Sequence, residues 1–86
     1  MELRDKVVVV TGGASGIGTG LCRRFREEGV RGLVIADLNG EAAAELAEEL
    51  DGTSYALDVR DESAIAAMVA ETEAEFGQID LFCSNA

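Results

Sequence analysis

The sequence predicts an α/β fold built on a parallel, doubly wound sheet, and three observations indicate it. Short apolar runs alternate with amphipathic helical patterns along the whole chain. Each helical pattern ends at a glycine, and the connecting segments are short. Continuous apolar runs are typical of strands buried on both faces of a parallel sheet, and their alternation with helices predicts helical crossovers between the strands.

The first strand and helix are the most clearly marked. Val7–Val10 consists only of β-branched residues, which predicts a buried strand. Ile17, Leu21 and Phe25 recur every four residues, with charged side chains among the positions between them. This spacing predicts an amphipathic helix, and Gly29 is placed to end it.

The second strand and helix repeat the pattern. Leu33–Ala36 predicts a buried strand that ends at Asp37, and Asn39 can cap a helix over about Gly40–Leu50. Gly52 is placed to end this helix. Its inner face is formed by apolar positions at helical spacing, which are Ala43, Leu46, Ala47 and Leu50.

The remaining elements complete the alternation. Thr53–Asp58 predicts a third strand, although its pattern is weaker, and Ile79–Ser84 predicts a fourth. Between them, Asp61 can cap a helix that ends at Gly77. The positions predicted to face inward on this helix are Ile65, Met68, Val69, Thr72 and Phe76.

The connection rules for parallel sheets determine much of the layout. Right-handed crossovers place the first two helices on one face of the sheet, which gives the strand order 3-2-1. We expect the fourth strand beside the first, so that the order becomes 3-2-1-4 and the third helix crosses the opposite face. Residues 1–86 would then form part of one domain, with four strands and three helices.

Composition excludes several classes of function. The chain has 17 acidic and 7 basic residues and a net charge of −10, which disfavours a nucleic-acid partner. It has no histidine, so no Ser-His-Asp or Cys-His site and no histidine metal site can form, and we predict no metal. The longest unbroken apolar run spans only seven residues, 64–70, so we expect no membrane segment and, without a secretion signal, a cytoplasmic protein.

Two cysteines, Cys22 and Cys83, are too far apart for a CxxC motif. We expect two buried, reduced thiols, as is usual for a cytosolic protein. A disulfide or redox pair is the alternative.

The link between the first strand and helix, Thr11–Gly18, is the candidate binding site. Amide groups at a helix N-terminus are unpaired and lie at the positive end of the helix dipole, so they can bind a pyrophosphate. Gly12 would permit the tight turn, Gly16 would let the phosphates reach the backbone, and Gly18 would let the helix pack close to the sheet. A merely flexible turn is the alternative.

Asp37 strengthens this interpretation, because it lies at the end of the second strand, nineteen residues after Gly18. A carboxylate there can accept hydrogen bonds from the ribose hydroxyls of an adenosine, although Asp37 alone could be a capping or turn residue. Together the loop and the acid predict a Rossmann-type dinucleotide site. A P-loop is excluded, because Thr19 follows the last glycine, and a GxGxxG loop is excluded by Leu21.

These motifs resemble the short-chain dehydrogenase/reductase family over the whole chain. The family's T-G-x-x-x-G-x-G motif is matched by Thr11, Gly12, Gly16 and Gly18. Its Asp-Val pair after the third strand is matched by Asp58-Val59, and its N-N-A-G motif by Ser84-Asn85-Ala86, with a serine in place of the first asparagine.

The resemblance implies roles for several residues. It implies that Asp58 meets the adenine amino group, that Asn85 steadies the loop beside the cofactor and that Ser15 touches a phosphate. The alternatives are that Asp58 caps the third helix, although Asp61 is better placed, and that Ser15 and Asn85 are ordinary turn residues. The predicted cofactor-binding residues are Gly12, Ser15, Gly16, Ile17, Gly18, Asp37, Leu38, Asp58, Val59, Asn85 and Ala86.

The same residues bear on the choice between NAD and NADP. The carboxylate of Asp37 would repel a 2′-phosphate, and Leu38 offers no cation beside it. The resemblance adds that members preferring NADP often carry Arg or Lys where Ser15 stands here. The prediction is therefore NAD, with NADP less favoured.

The family's catalytic residues are not found in this sequence. The resemblance implies a Tyr that transfers a proton, a Lys four residues on and a Ser that orients the substrate carbonyl, all beyond the N-N-A-G motif. Tyr55 is the only tyrosine, and the residue four positions later is Val59, so we assign no catalytic residue. We expect the chain alone to be inactive.

The resulting expectation is the cofactor-binding part of an NAD-dependent oxidoreductase that acts on an alcohol or carbonyl substrate, in an enzyme that is often a homo-oligomer. The alternatives are a non-catalytic dinucleotide-binding module and a truncated fragment that pairs with a partner. Because the apolar fourth strand would be an open edge, we expect these residues alone to be marginally stable and prone to aggregate.

Overall fold

The computed structural model describes residues 2–85, which form one four-stranded sheet and three helices in the predicted β-α-β-α-β-α-β order. The elements in chain order are β1 (Val7–Thr11), α1 (Gly16–Glu27), β2 (Gly32–Asp37), α2 (Gly40–Leu50), β3 (Thr53–Ala56), α3 (Glu62–Phe76) and β4 (Leu81–Ser84).

The sheet is parallel throughout, with the strand order β3-β2-β1-β4. The register places Val9 of β1 beside Val34 of β2 on one side and Phe82 of β4 on the other. The predicted order is therefore confirmed, and the residues form a partial Rossmann-type sheet.

Strand β1 lies at the centre and is buried along its whole length. Because successive side chains of a strand point to opposite faces, Val8 and Val10 pack under α1 and α2, whereas Val9 packs under α3. Met68 is the fully buried apolar residue that α3 contributes to the second face. Helices thus cover both faces of the sheet, as a doubly wound fold requires.

Helices α2 and α3 begin where the sequence predicts their caps. The side-chain oxygen of Asn39 accepts a hydrogen bond from the amide of Ala42 at 3.1 Å, and that of Asp61 accepts one from Ala64 at 3.1 Å. Each such cap satisfies an amide that the first helical turn leaves unpaired and typically contributes about 1 kcal/mol. The proposed capping role for Asp61 is confirmed.

Two predicted strand boundaries are wrong. Strand β3 ends at Ala56 rather than Asp58, because the side chain of Asp58 turns the chain by accepting a hydrogen bond from the amide of Arg60 at 2.9 Å. Strand β4 begins at Leu81 rather than Ile79. Just before it, the side chain of Asp80 accepts a hydrogen bond from the amide of Val7 at 2.8 Å.

One predicted helix face is also wrong in part. Ile17 does not join Phe25 in the core, because it lies in the first turn of α1 and its side chain is 75% exposed. The residues of α1 that are buried are Gly18, Cys22 and Phe25.

The outer strand and the cysteines are only partly covered. Phe82 of β4 is exposed, although its neighbour Val9 is buried. Cys22 is a buried free thiol, whereas the free thiol of Cys83 is half-buried, so the expectation of two buried thiols holds fully for Cys22 only. No helix within residues 2–85 has the length and apolar character needed to cross a bilayer.

Candidate dinucleotide-binding site

The glycine-rich segment joins β1 to α1 at the carboxyl end of the central strand. The chain leads from β1 to β2 and β3 on one side of the sheet and then returns to β4 on the other side of β1. Ligands of open α/β sheets bind at the point where the strand order reverses in this way. The location of the predicted site is therefore one that the topology itself favours.

Three glycines of this segment occupy positions where a side chain would interfere in different ways. Gly12 has φ +67°, and a Cβ there would overlap the carbonyl oxygen of Asn85. A Cβ on Gly18 would overlap the carbonyl oxygen of Gly12, so the helix can lie this close to the loop only without one. At Gly16, in contrast, no atom lies within 4 Å of where a Cβ would stand, so the backbone is open to a ligand.

The T-G-x-x-x-G-x-G motif accepts any residue at the position of a fourth glycine, Gly13, and therefore assigns no role to it. A Cβ there would lie 2.7 Å from Cγ2 of Ile35 and 3.4 Å from Sγ of Cys22. Gly13 therefore lets the loop rest directly on the core. The adjacent Gly12-Gly13 pair was the only local signal of this role.

Helix α1 begins without a side-chain cap. The hydroxyl of Ser15 instead donates to the carbonyl oxygen of Gly12 at 2.8 Å. Within residues 2–85, the amides of Gly16, Ile17 and Gly18 have no hydrogen-bond acceptor. These amides point out of the positive end of a helix, so they can bind an anionic ligand.

Asn85 fastens the end of β4 to this loop. Its amide donates to the carbonyl oxygen of Thr11 at 3.2 Å, and its side-chain Nδ2 lies 3.4 Å from the carbonyl oxygen of Gly12 and 3.3 Å from Oγ of Ser15. These contacts hold Asn85 against the loop, and its role beside a bound cofactor stays a prediction. Ala86 lies outside the described residues.

Asp37 connects the loop to the end of β2. Its Oδ2 accepts a hydrogen bond from the amide of Ala14 at 3.0 Å, and its Oδ1 accepts one from Asn39 at 2.8 Å. The turn role considered for this residue is therefore present. Each carboxylate oxygen has a second lone pair, so Asp37 can still accept hydrogen bonds from a ligand.

A cavity of about 280 Å³ opens beside Asp37. Two exposed apolar side chains, Leu38 and Val59, lie at it and can form walls for a flat ring. The full lining consists of Gly12, Asp37, Leu38, Leu57, Asp58, Val59 and Arg60.

The structure thus brings the predicted residues together in two connected groups. Five of them line the cavity, namely Gly12, Asp37, Leu38, Asp58 and Val59. The others lie along the neighbouring loop or against it, namely Ser15, Gly16, Ile17, Gly18 and Asn85. Gly12 belongs to both groups, because it lines the cavity and touches Asn85.

Arg60 is a lining residue that the sequence did not single out. Its Nη2 lies 2.8 Å from Oδ2 of Asp58, and its Nε lies 3.1 Å from Oδ1. Hydrogen bonds from Arg60 lower the pKa of Asp58 to about 2. The signal available was the spacing, because an aspartate readily accepts a hydrogen bond from the amide two residues later.

The described part of the chain offers no group of three or more acidic, cysteine or histidine side chains that could hold a metal ion. What the site offers is a row of free amides, the carboxylate of Asp37 and an apolar slot, a combination suited to a dinucleotide.

Comparison with known proteins agrees with this geometry. A family model described as short chain dehydrogenase matches residues 6–86. The chain belongs to the short-chain dehydrogenase family. The resemblance noted in the glycine motif is thereby confirmed at the level of the family.

Several members of the short-chain dehydrogenase family are similar to this chain. It is 42% identical to (-)-isopiperitenol/(-)-carveol dehydrogenase, mitochondrial, of Mentha piperita, over 99% of this chain and 33% of that protein. It is 44% identical to momilactone A synthase of Oryza sativa subsp. japonica, over 99% of this chain and 32% of that protein.

A solved structure has the same fold. The 3-ketoacyl-(acyl-carrier-protein) reductase from Brucella melitensis, complexed with NADH, superimposes with a TM-score of 0.86 and 32% identity, over 93% of this chain and 34% of that one. The chain therefore spans about a third of the length of the short-chain dehydrogenases that it matches.

Proposed function

We propose that this chain binds NAD at the carboxyl end of its sheet and serves as the cofactor-binding part of an oxidoreductase acting on an alcohol or carbonyl substrate. The observation that carries the proposal is the continuity of the site. Three free amides at the start of α1 adjoin, through Gly12, a cavity lined by Asp37 and two apolar side chains. The similar reductase from Brucella melitensis, which is complexed with NADH, supports this choice of ligand.

The residues present fit each part of the dinucleotide. The amides of Gly16, Ile17 and Gly18 would hold the pyrophosphate, and Gly16 leaves its approach open. The second lone pairs of the Asp37 carboxylate would accept the ribose hydroxyls. The slot between Leu38 and Val59 would take the adenine ring. When bound, the cofactor supplies a nicotinamide ring that gives or accepts a hydride.

The charges at the cavity favour NAD over NADP. A 2′-phosphate would come close to the carboxylate of Asp37, and Leu38 beside it offers no positive charge. Arg60 is the cation at the cavity, and its guanidinium is already engaged by Asp58. Ser15 adds no positive charge at the loop.

The catalytic groups of the reaction are not assigned to this chain. The hydroxyl of Tyr55 lies 3.2 Å from Oε1 of Glu71, and the ring packs in the core under α3. Its pKa is raised above the ordinary value, chiefly by burial and then by Glu71, which is opposite to what a proton-transferring tyrosine needs. We therefore propose that these residues supply cofactor binding and that other residues perform the chemistry.

The test is an equilibrium titration of the full-length gene product with NADH and with NADPH, followed by nicotinamide fluorescence. We expect NADH to bind at least about tenfold more tightly, a difference of about 1.4 kcal/mol. Tighter binding of NADPH would overturn the assignment of NAD. Failure to bind either dinucleotide would overturn the proposed site itself.

A further inference from the structure

The Asp58–Arg60 pair is the most highly connected polar feature of the cavity. The Asp58 carboxylate receives hydrogen bonds from the Arg60 backbone amide at 2.9 Å, from Nε at 3.1 and 3.2 Å, and from Nη2 at 2.8 Å. These contacts from one residue engage both carboxylate oxygens. They fix the plane of the carboxylate, since rotation of the side chain would break several hydrogen bonds at once.

This arrangement is not explained by stability. The side chain of Arg60 is 85% exposed, and exposed ion pairs between neighbouring residues contribute little to folding. Nor does Asp58 serve as the cap of α3, because Asp61 fills that role through its hydrogen bond with Ala64. The pair is instead located at the cavity, where both residues form part of the lining.

Acidic groups other than Asp58 lie at the cavity or next to it in the chain. Asp37 lines the same cavity, and Asp61 follows Arg60 directly in the chain, so without Arg60 the carboxylate of Asp58 would stand among like charges. Arg60 is the cation paired with Asp58 at the cavity, and its hydrogen bonds lower the pKa of Asp58 to about 2. An ionised, fixed carboxylate is a pure hydrogen-bond acceptor.

We infer that Arg60 is a positioning residue that makes the site selective for an adenine base. The resemblance already implies that Asp58 meets the adenine amino group, and the new element is that Arg60 orients the Asp58 carboxylate for this contact. A carboxylate held in this way accepts a hydrogen bond from the amino group and opposes a 6-oxo purine, which presents an acceptor at the same place. This inference rests on the proposed function, because it assigns the adenine end of the dinucleotide to this cavity.

The experiment compares NADH with nicotinamide hypoxanthine dinucleotide, in which the amino group is replaced by an oxo group. The dissociation constants are measured for the full-length gene product and for its Arg60→Met and Arg60→Lys variants. We expect the unmodified protein to prefer NADH about tenfold or more and Arg60→Met to reduce this preference to about threefold or less, as the acceptor loses its orientation. Arg60→Lys, which keeps the charge but not the fork of donors, should restore part of the preference.

Arg24→Met is the matched control. Arg24 is an exposed arginine of α1 whose Nε lies 3.3 Å from Glu28, and it does not line the cavity. Its replacement removes the same charge and the same kind of ion pair, so the preference for NADH should stay unchanged. An equal loss of preference in both variants would mean that only net charge matters, and it would overturn the positioning role.

A second readout needs no ligand. The titration of the Asp58 carboxyl carbon is followed by NMR in the ligand-free protein and in Arg60→Met. In the unmodified protein the pKa of Asp58 is held at about 2 by Arg60, so this carboxylate should stay ionised at pH 3. In Arg60→Met its pKa should rise toward the ordinary value of about 3.9.

The outcomes separate the inference from the proposed function. If the unmodified protein binds neither dinucleotide, the proposed function fails and the inference fails with it. If it binds NADH but Arg60→Met leaves both the base preference and the pKa of Asp58 unchanged, the proposed function stands and the role of Arg60 is overturned.

Discussion

Arg26 of α1 binds the C-terminal end of α2, where its Nε donates to the carbonyl oxygen of Leu50 at 2.7 Å. The same guanidinium lies 3.3 Å from the carbonyl oxygen of Asp51 and 2.9 Å from that of Val30. A positive charge at the C-terminus of a helix is favoured by the helix dipole, and the last carbonyls of a helix otherwise have no partner. Arg26 therefore ties the two helices of one face to the loop that leads into β2.

The first prediction concerns this tie. Arg26→Met keeps most of the aliphatic stem but removes the donors to Leu50, Asp51 and Val30, and we expect it to lower the free energy of unfolding by about 2 kcal/mol. Arg24→Met, which removes an exposed arginine paired with Glu28, should change it by less than about 0.5 kcal/mol. Urea denaturation of the two variants measures the difference, and equal losses would contradict the capping role.

The sequence made most of the fold predictable because its decisive signals are local. The β-branched run Val7–Val10 can hardly be anything but a buried strand. Asn39 and Asp61 are recognisable caps because an N-cap acts only on the first turn that follows it. Crossover handedness then constrains the strand order, and the doubly wound pattern predicts the place of β4 beside β1.

The rest depended on contacts between distant residues or on side-chain geometry. Periodicity placed Ile17 on the inner face of α1, although its side chain is exposed. The spacing of apolar residues does not reveal that the first turn of the helix extends past the edge of the core. The hydrogen bond between Asn85 and Ser15 joins residues 70 positions apart in the sequence and has no local signal. The end of β3 depends on the Asp58–Arg60 turn, which a search for strand residues does not detect.

The second prediction tests the proposed phosphate contact with two glycines of the same helix. Gly16 and Gly20 both lie in α1, and at both no atom stands within 4 Å of an added Cβ. Gly16→Ala should therefore fold but place a methyl group beside the free amides, and we expect it to weaken NADH binding by about tenfold or more. Gly20→Ala should leave the affinity unchanged, since Gly20 lies beyond those amides. Equal affinities in the two variants, measured by fluorescence titration, would argue against a pyrophosphate at this loop.

The third prediction concerns the end of α2, where Asp51 has φ +56° and ψ +44°, in the left-handed region. Glycine adopts this conformation without steric cost, and an acidic side chain at a helix C-terminus is disfavoured by the dipole. For both reasons, Asp51→Gly should raise the free energy of unfolding by about 1 kcal/mol. The hydrogen bond from Arg26 is not lost, because its acceptor is the backbone carbonyl of residue 51.

The control for Asp51→Gly is the same change at Glu45, an exposed acidic residue in the middle of α2. Glycine there lowers the stability of the helix by about 1 kcal/mol relative to alanine, so Glu45→Gly should be destabilising. Thermal melts of the two variants should therefore shift in opposite directions. A downward shift for Asp51→Gly would mean that its side chain contributes more than its backbone costs.

The fourth prediction follows from the burial of Cys22 in the core beside Cys83. Burial, and secondarily the neighbouring thiol, raise the pKa of Cys22 from 9.0 to about 11. Because the thiol has a higher pKa in the folded protein than in the unfolded chain, its contribution to stability is complete at pH values below the pKa of the unfolded chain. As the pH rises from that value to the pKa in the folded protein, the thiol ionises in the unfolded chain first, and the contribution is lost. Stability should therefore fall between pH 9 and pH 11 with a slope of at most about 1.4 kcal/mol per pH unit from this group.

The measurement is urea denaturation of the unmodified protein and of Cys22→Ala across this pH range. Cys22→Ala is less stable at pH 7, because it leaves a cavity in the core, but its stability should decline less steeply above pH 9. Cys83→Ala removes the half-buried thiol and should leave the steep decline largely in place, since burial is the main cause of the shift at Cys22. If Cys22→Ala and the unmodified protein lose stability in parallel above pH 9, the thiol of Cys22 is accessible to water in the folded state.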